Sequence, residues 1–111
     1  MLPKQKRIKK SLFPNVLKGG RSFVSGFITL KISPSDGNSS KFSFVAPKAV
    51  SKKAVNRNLL RRRGYSALKK MEKSIKPGFS CVFFFKKGAE KASFNDIYSE
   101  VKNLLEKARV L

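Results

Sequence analysis

The sequence predicts one small α+β domain over residues 1–111, a mixed sheet carrying helices in the order α-β-β-α-β-α. Three observations predict it. From Val50 to Lys73 nothing but Gly64 opposes a helix, and one interior Gly costs only about 1 kcal/mol. Phe27, Thr29 and Lys31 alternate with Ile28, Leu30 and Ile32, the period-two pattern of a half-buried strand. Phe79 to Lys86, FSCVFFFK, is almost all apolar, as a central strand requires. A chain of this length forms one domain and buries about two-thirds of its unfolded surface, enough for a core without staples.

The elements follow in order. Met1 to Lys10 is a basic, extended lead-in. A short helix is expected at Ser11–Lys18, with Ser11 as N-cap and Pro14 in the first turn, where its missing N–H is not needed. Gly19-Gly20 stops it. Arg21 to Ser33 reads as one strand. The segment from Pro34 to Ser40 is a turn by composition, and Asp36-Gly37 suggests a hairpin. Lys41 to Ala46 is then the return strand, with Phe42, Phe44 and Ala46 on one face. The long helix comes next and ends before Lys76-Pro77-Gly78. Strand, long helix and strand over Lys41–Lys86 make one βαβ unit. Ser93 caps a last helix, Phe94 to Arg109, with Asp96 completing a capping-box-like start. Phe94, Ile97, Val101, Leu104, Leu105 and Ala108 form its apolar stripe.

Charge is distributed unevenly. Net charge is +20, and it belongs entirely to residues 1–89, which hold 22 Lys and Arg against Asp36 and Glu72. Residues 90–111 balance four of each sign. A sequence pI near 10.7 with clustered Arg points to a nucleic-acid partner. An anionic membrane is the weaker option, because no strongly amphipathic Trp/Lys helix stands alone. No apolar run is long enough to span a bilayer, and no secretion signal is visible at the N-terminus. One cysteine, Cys81, forbids an internal disulfide and reads as an inert core thiol. These features fit a reduced, cytoplasmic protein.

Absent residue types exclude chemistry. With no His there is no His base, no Ser-His triad and no His metal ligand. The acids Asp36, Glu72, Glu90, Asp96, Glu100 and Glu106 form no tight cluster in the basic body, as a two-metal nuclease requires. Any catalysis on nucleic acid needs groups from another component.

The long helix carries the sharpest constellation. On a wheel, Leu60, Gly64, Ala67 and Met71 make a stripe to bury, and Gly64 lets a neighbour approach closely. Arg57, Asn58, Arg61, Arg62, Tyr65 and Lys69 spread over the opposite side as a face to present. A solvated helix mixes signs, since opposite charges at i,i+4 stabilise and like charges repel. This one tolerates repulsion that a polyanion would relieve. Arg forks match phosphate geometry, and Asn can hold a backbone or a base edge. An exposed Phe or Tyr in a basic setting suits stacking on unpaired bases. Phe13, Tyr65 and residues of the first strand are candidates, although most of the ten Phe belong to the core.

The chain resembles the protein subunit of bacterial ribonuclease P. Leu2-Pro3-Lys4 and Arg7-Ile8-Lys9-Lys10 are similar to that family's LP…RL start, and Phe13, Val16 and Gly20 match its F-x-x-V…G helix. Lys48, Lys53, Ala54, Arg57, Asn58, Arg61 and Arg62 fall where the family places its basic segment. Leu59 replaces the second Arg of the usual R-N-R, Pro47-Lys48-Ala49 stands for Ser-Lys-Lys, and Gly64-Tyr65 lies near a usual acid. The resemblance implies a fold like the second domain of ribosomal protein S5, with a left-handed βαβ crossover. It implies RNA contacts from Lys48, Lys53, Arg57, Asn58, Arg61 and Arg62, with ribonuclease P RNA as partner, and the charge run and helical wheel add Lys52, Tyr65 and Lys69. It implies a cleft between the first helix and the sheet for the 5′ leader of precursor tRNA, with Phe13 and Leu17 on it. The RNA and its bound Mg²⁺ would hydrolyse the phosphodiester, and no obligate protein partner is expected. A small basic ribosomal protein is the alternative. A DNA-binding regulator is disfavoured, because the long helix is flanked by strands rather than by a second helix across a short turn.

Overall fold

The computed structural model describes residues 20–34 and 40–111. Strands β1 (Arg21–Val24), β2 (Ile28–Pro34), β3 (Lys41–Val45) and β4 (Phe79–Phe85) form one mixed sheet in the order β1-β2-β4-β3. Helix α1 (Ala54–Lys70) joins β3 to β4, and α2 (Phe94–Lys107) follows β4. Two short 3-10 turns lie at Glu72–Ser74 and Ala89–Lys91. The expected helix at Ser11–Lys18, with Phe13 and Leu17, and the Asp36-Gly37 turn lie outside the described residues.

Alternation gives the sheet two faces. Ile28, Leu30, Ile32, Phe42, Phe44, Cys81, Phe83 and Phe85 point to one side and pack under α1 and α2 as one core. Leu60, Ala67 and Leu68 from α1 and Ile97, Val101, Leu104 and Leu105 from α2 close it. The βαβ unit is present: β3 and β4 are parallel neighbours joined through α1. β4 is central, as its apolar run requires. Cys81 is buried, and burial pushes its thiol up to about 12. Ser93 caps α2 as expected: its hydroxyl accepts the Asp96 N–H, and the Asp96 carboxylate accepts the Ser93 N–H.

Three expectations about elements need correction. The stretch 21–33 is not one strand. It is a hairpin, with Val24 opposite Thr29 and the Ser25 N–H bonded to the Ile28 carbonyl at 2.9 Å. The cause is distant in sequence. Glu100 on α2 accepts the Phe27 N–H at 3.0 Å and the Ser25 hydroxyl, pinning the turn to the helix. A Cβ on Gly26 would sit 3.3 Å from that carboxylate. Second, β2 and β3 are not hairpin partners, because β4 inserts between them. Third, the long helix begins at Ala54 rather than Val50. The Ser51 hydroxyl accepts the Lys53 N–H at 3.3 Å and the Asn56 side-chain amide at 3.2 Å. Such local side-chain bonds compete with helix formation, while Val50 turns into the core at 4% exposure.

The cationic helix and the second sheet face

α1 is held close to the sheet at one point. A Cβ on Gly64 would lie 2.5 Å from the Phe44 ring. That ring is itself trapped, stacked on Phe83 at 4.6 Å and edge-on to Tyr65 at 5.0 Å. The predicted buried stripe of Leu60, Gly64, Ala67 and Met71 is therefore real, and Gly64 serves the close approach.

Tyr65 is a correction. It does not stand on the presented face; it is 6% exposed. Its hydroxyl accepts the Phe44 backbone N–H at 3.3 Å. β3 is an edge strand, so that amide has no strand partner beyond it, and the phenol satisfies it instead. A helical wheel shows angles but not where a sheet edge will lie.

The remaining candidates form two sets. Lys48, Lys52, Lys53, Asn58, Arg62 and Lys69 are exposed. Arg57 and Arg61 are half-buried and partly committed. One Arg57 nitrogen donates to the carbonyls of Ser51 at 2.8 Å and Lys52 at 3.0 Å, which ties the 47–53 loop onto the first turns of α1. Arg61 donates to the Asn58 side-chain oxygen. Arg63 turns away and donates to the Ala92 carbonyl at 3.0 Å, bracing α1 against the start of α2. It is thus a tether between α1 and the segment that leads into α2. Arg62 and Lys69, seven residues apart, share one ridge of α1, and Lys48, Lys52 and Lys53 lie in the segment before its N-terminus. α1 itself carries six cations and no acid, and no acid lies in its first turn.

A cleft against the sheet was expected, but Phe84 was not among the residues named for it. Register places Val24, Thr29, Phe84 and Val45 in one row across the second sheet face, and Ser22, Lys31, Val82 and Ser43 in the next. Thr29, Lys31, Phe84 and Val45 are half-buried, Val82 and Ser43 are buried, and Phe84 is not part of the core. A partly accessible aromatic near a lysine can serve to stack an unpaired base. Strand alternation through Phe83-Phe84-Phe85 was the available signal, but a run of three Phe does not say which member faces out.

Three of the acids serve the fold. Asp96 caps α2, Glu100 anchors the β1–β2 turn, and Glu90 accepts the Gly88 N–H at 3.0 Å. Among the described residues, no three of His, Cys, Asp and Glu come together as a metal site, and no helix is long and apolar enough to cross a membrane.

The sequence pattern of the family Ribonuclease P matches residues 2–109. The chain belongs to the ribonuclease P protein family. It is 31% identical to the ribonuclease P protein component of Synechococcus elongatus, over 99% of this chain and 95% of that protein. It is equally 31% identical to that of Clostridioides difficile, over 92% of this chain and 90% of the relative. The fold agrees. A mutant Staphylococcus aureus RNase P protein, described as defective in mRNA degradation activity, superposes with a TM-score of 0.89 at 20% identity, covering 97% of this chain and 92% of that one. The RNase P protein from Thermotoga maritima gives 0.83 at 21% identity, covering 91% and 96%. A ribonuclease P protein component is one part of the ribonucleoprotein that cleaves the tRNA 5′ leader, and its partner is ribonuclease P RNA. Membership removes the ribosomal alternative.

Proposed function

We propose that the molecule divides its two surfaces between two RNAs. The ridge of α1 and the 47–53 loop hold ribonuclease P RNA through Lys48, Lys52, Lys53, Asn58, Arg61, Arg62 and Lys69, with Arg57 shaping the loop that presents the lysines. The second sheet face, with Phe84, Lys31 and Val45, receives the single-stranded 5′ leader of precursor tRNA. The observation that carries this reading is the helix of six cations without one acid, standing over a sheet whose far face holds a half-buried aromatic outside the core. Phe13 and Leu17 belong to the same leader cleft by family resemblance.

Hydrolysis falls to the RNA subunit. Asp96, Glu100 and Glu90 are spent on caps and turns, and among the described residues no three potential ligands come together, so we assign the Mg²⁺ to the RNA, where it supplies charge stabilisation at the phosphodiester. The protein's share is to neutralise phosphates and position the leader. It works in the cytoplasm and needs no further protein. The test is reconstitution with a bacterial ribonuclease P RNA at low Mg²⁺, following precursor-tRNA cleavage. The protein should restore cleavage that the RNA alone lacks, and Phe84→Ala should weaken precursor tRNA but not mature tRNA. Unchanged cleavage on adding the protein would reject the reading. Equal effects of Phe84→Ala on the two tRNAs would reject the leader assignment.

A further inference from the structure

Large apolar side chains left in water need a reason when they cluster. Among the described residues, Val55 is 69% exposed and Leu59 43%, and they sit one turn apart on α1. Val55, Leu59, Arg62, Ser66 and Lys69 follow the i, i+4, i+7, i+11, i+14 spacing of a single ridge, and all five are exposed. The outermost line of the most cationic helix is therefore apolar in its first half and cationic in its second. Local helix stability does not account for this. Val is a poorer helix former than Ala, and an i,i+4 apolar pair stabilises a helix only weakly.

We propose that Val55 and Leu59 make a dry contact with ribose and base edges in a shallow minor groove of ribonuclease P RNA. The cations around them hold the flanking phosphates. The inference rests on the assignment of α1 to that RNA. Charge complementarity selects the occupant. The six cations of α1 and a net charge of +20 repel a second copy of the chain. Two side chains also fall far short of the roughly 800 Å² per partner that a stable protein interface buries. The occupant has to be a polyanion that nevertheless offers apolar surface at close range. A-form RNA does so, because its minor groove is wide and shallow and lined by sugars and base edges. Lys52 and Lys53 before the apolar pair, with Arg62 after it on the same ridge, bracket the pair along the chain as phosphates bracket a groove.

The experiment is equilibrium binding of the full chain to a bacterial ribonuclease P RNA over a series of monovalent-salt concentrations. A double variant, Val55→Ala with Leu59→Ala, keeps the fold because both positions are exposed and Ala is the best helix former. It should bind about tenfold more weakly at every salt concentration, with an unchanged slope of log affinity against log salt. Arg62→Ala should instead lower that slope by roughly 0.7–0.9, the signature of one lost phosphate contact. Unchanged affinity in the double variant, with wild type binding normally, would overturn the contact and leave the assignment of α1 standing. A fall in slope like that of Arg62→Ala would overturn it too, since the effect would then be electrostatic. Sedimentation showing a wild-type dimer that the double variant abolishes would make a second copy the occupant. Failure of wild type to bind the RNA at all would overturn both readings.

Discussion

The two helices of this molecule are built on opposite plans. α2 opens with a reciprocal capping box between Ser93 and Asp96, buries Ile97, Val101, Leu104 and Leu105, and sets two lysines against three acids. Its local sequence and its packing agree. α1 has no side-chain cap at Lys53, no acid in its first turn, and six cations. Its positive N-terminal end faces more positive charge, the wrong sign for the helix dipole. Tertiary contacts hold it: the packing of Leu60, Gly64, Tyr65, Ala67 and Leu68, with the Arg63 and Tyr65 hydrogen bonds to Ala92 and Phe44. The difference shows which helix serves the fold and which serves a ligand. α2 satisfies its own electrostatics, whereas α1 leaves its own unsatisfied until a polyanion arrives.

The contrast breaks first where α1 depends on packing. Gly64→Ala normally stabilises a helix, but here the new methyl meets the Phe44 ring between Phe83 and Tyr65. A loss of about 2–3 kcal/mol is expected, lowering the melting temperature by roughly 10 °C or more. Circular dichroism melts would show it, and an unchanged or higher melting temperature would mean that the ring can yield. Tyr65→Phe is a smaller probe. Removing the hydroxyl that accepts the Phe44 N–H should cost about 1 kcal/mol and leave RNA affinity unaltered. A lost RNA contact at constant stability would return Tyr65 to the binding face.

Cys81 gives the smallest effect on the native protein. Its thiol is pushed up to about 12 against 9.0 in the unfolded chain, so folding favours the neutral form. The unfolded chain ionises first as pH rises, so this contribution to stability is intact below pH 9.0 and drains away toward about pH 12. At pH 8, alkylation by iodoacetamide should proceed only through unfolding and should accelerate with denaturant in step with the unfolded fraction. Rapid labelling of the native protein would show that β4 is not the closed central strand described above.

Much of this was legible in the sequence, and the exceptions share a cause. The cap at Ser93, the central strand 79–85, the βαβ unit and the close approach at Gly64 depend on local pattern, and each was found where expected. The hairpin at Ser25–Ile28 depends on Glu100, far along the chain, which no local pattern announces. The same holds for Tyr65, whose partner is an amide on a strand edge. Phe84 could be assigned to the second sheet face only once register had placed it beside Thr29 and Val45. The cationic site itself was visible from composition, because a helix of one sign needs no tertiary context to be noticed. What composition could not show is that Arg57 and Arg63 are partly structural, one shaping the 47–53 loop and the other bracing α2.

One substitution tests the division between the helices most directly. Lys53→Asp gives α1 the side-chain cap and N-terminal acid that α2 already has. It should stabilise the protein by about 1 kcal/mol, raising the melting temperature by roughly 4 °C. It should also weaken binding to ribonuclease P RNA about tenfold or more at low salt. Lys102→Asp makes the same charge change on α2 and should leave that affinity near wild type. Stability and affinity moving in opposite directions at Lys53 would establish that α1 gives up local stability for its ligand. A melting temperature that rises while RNA affinity stays unchanged would contradict the account.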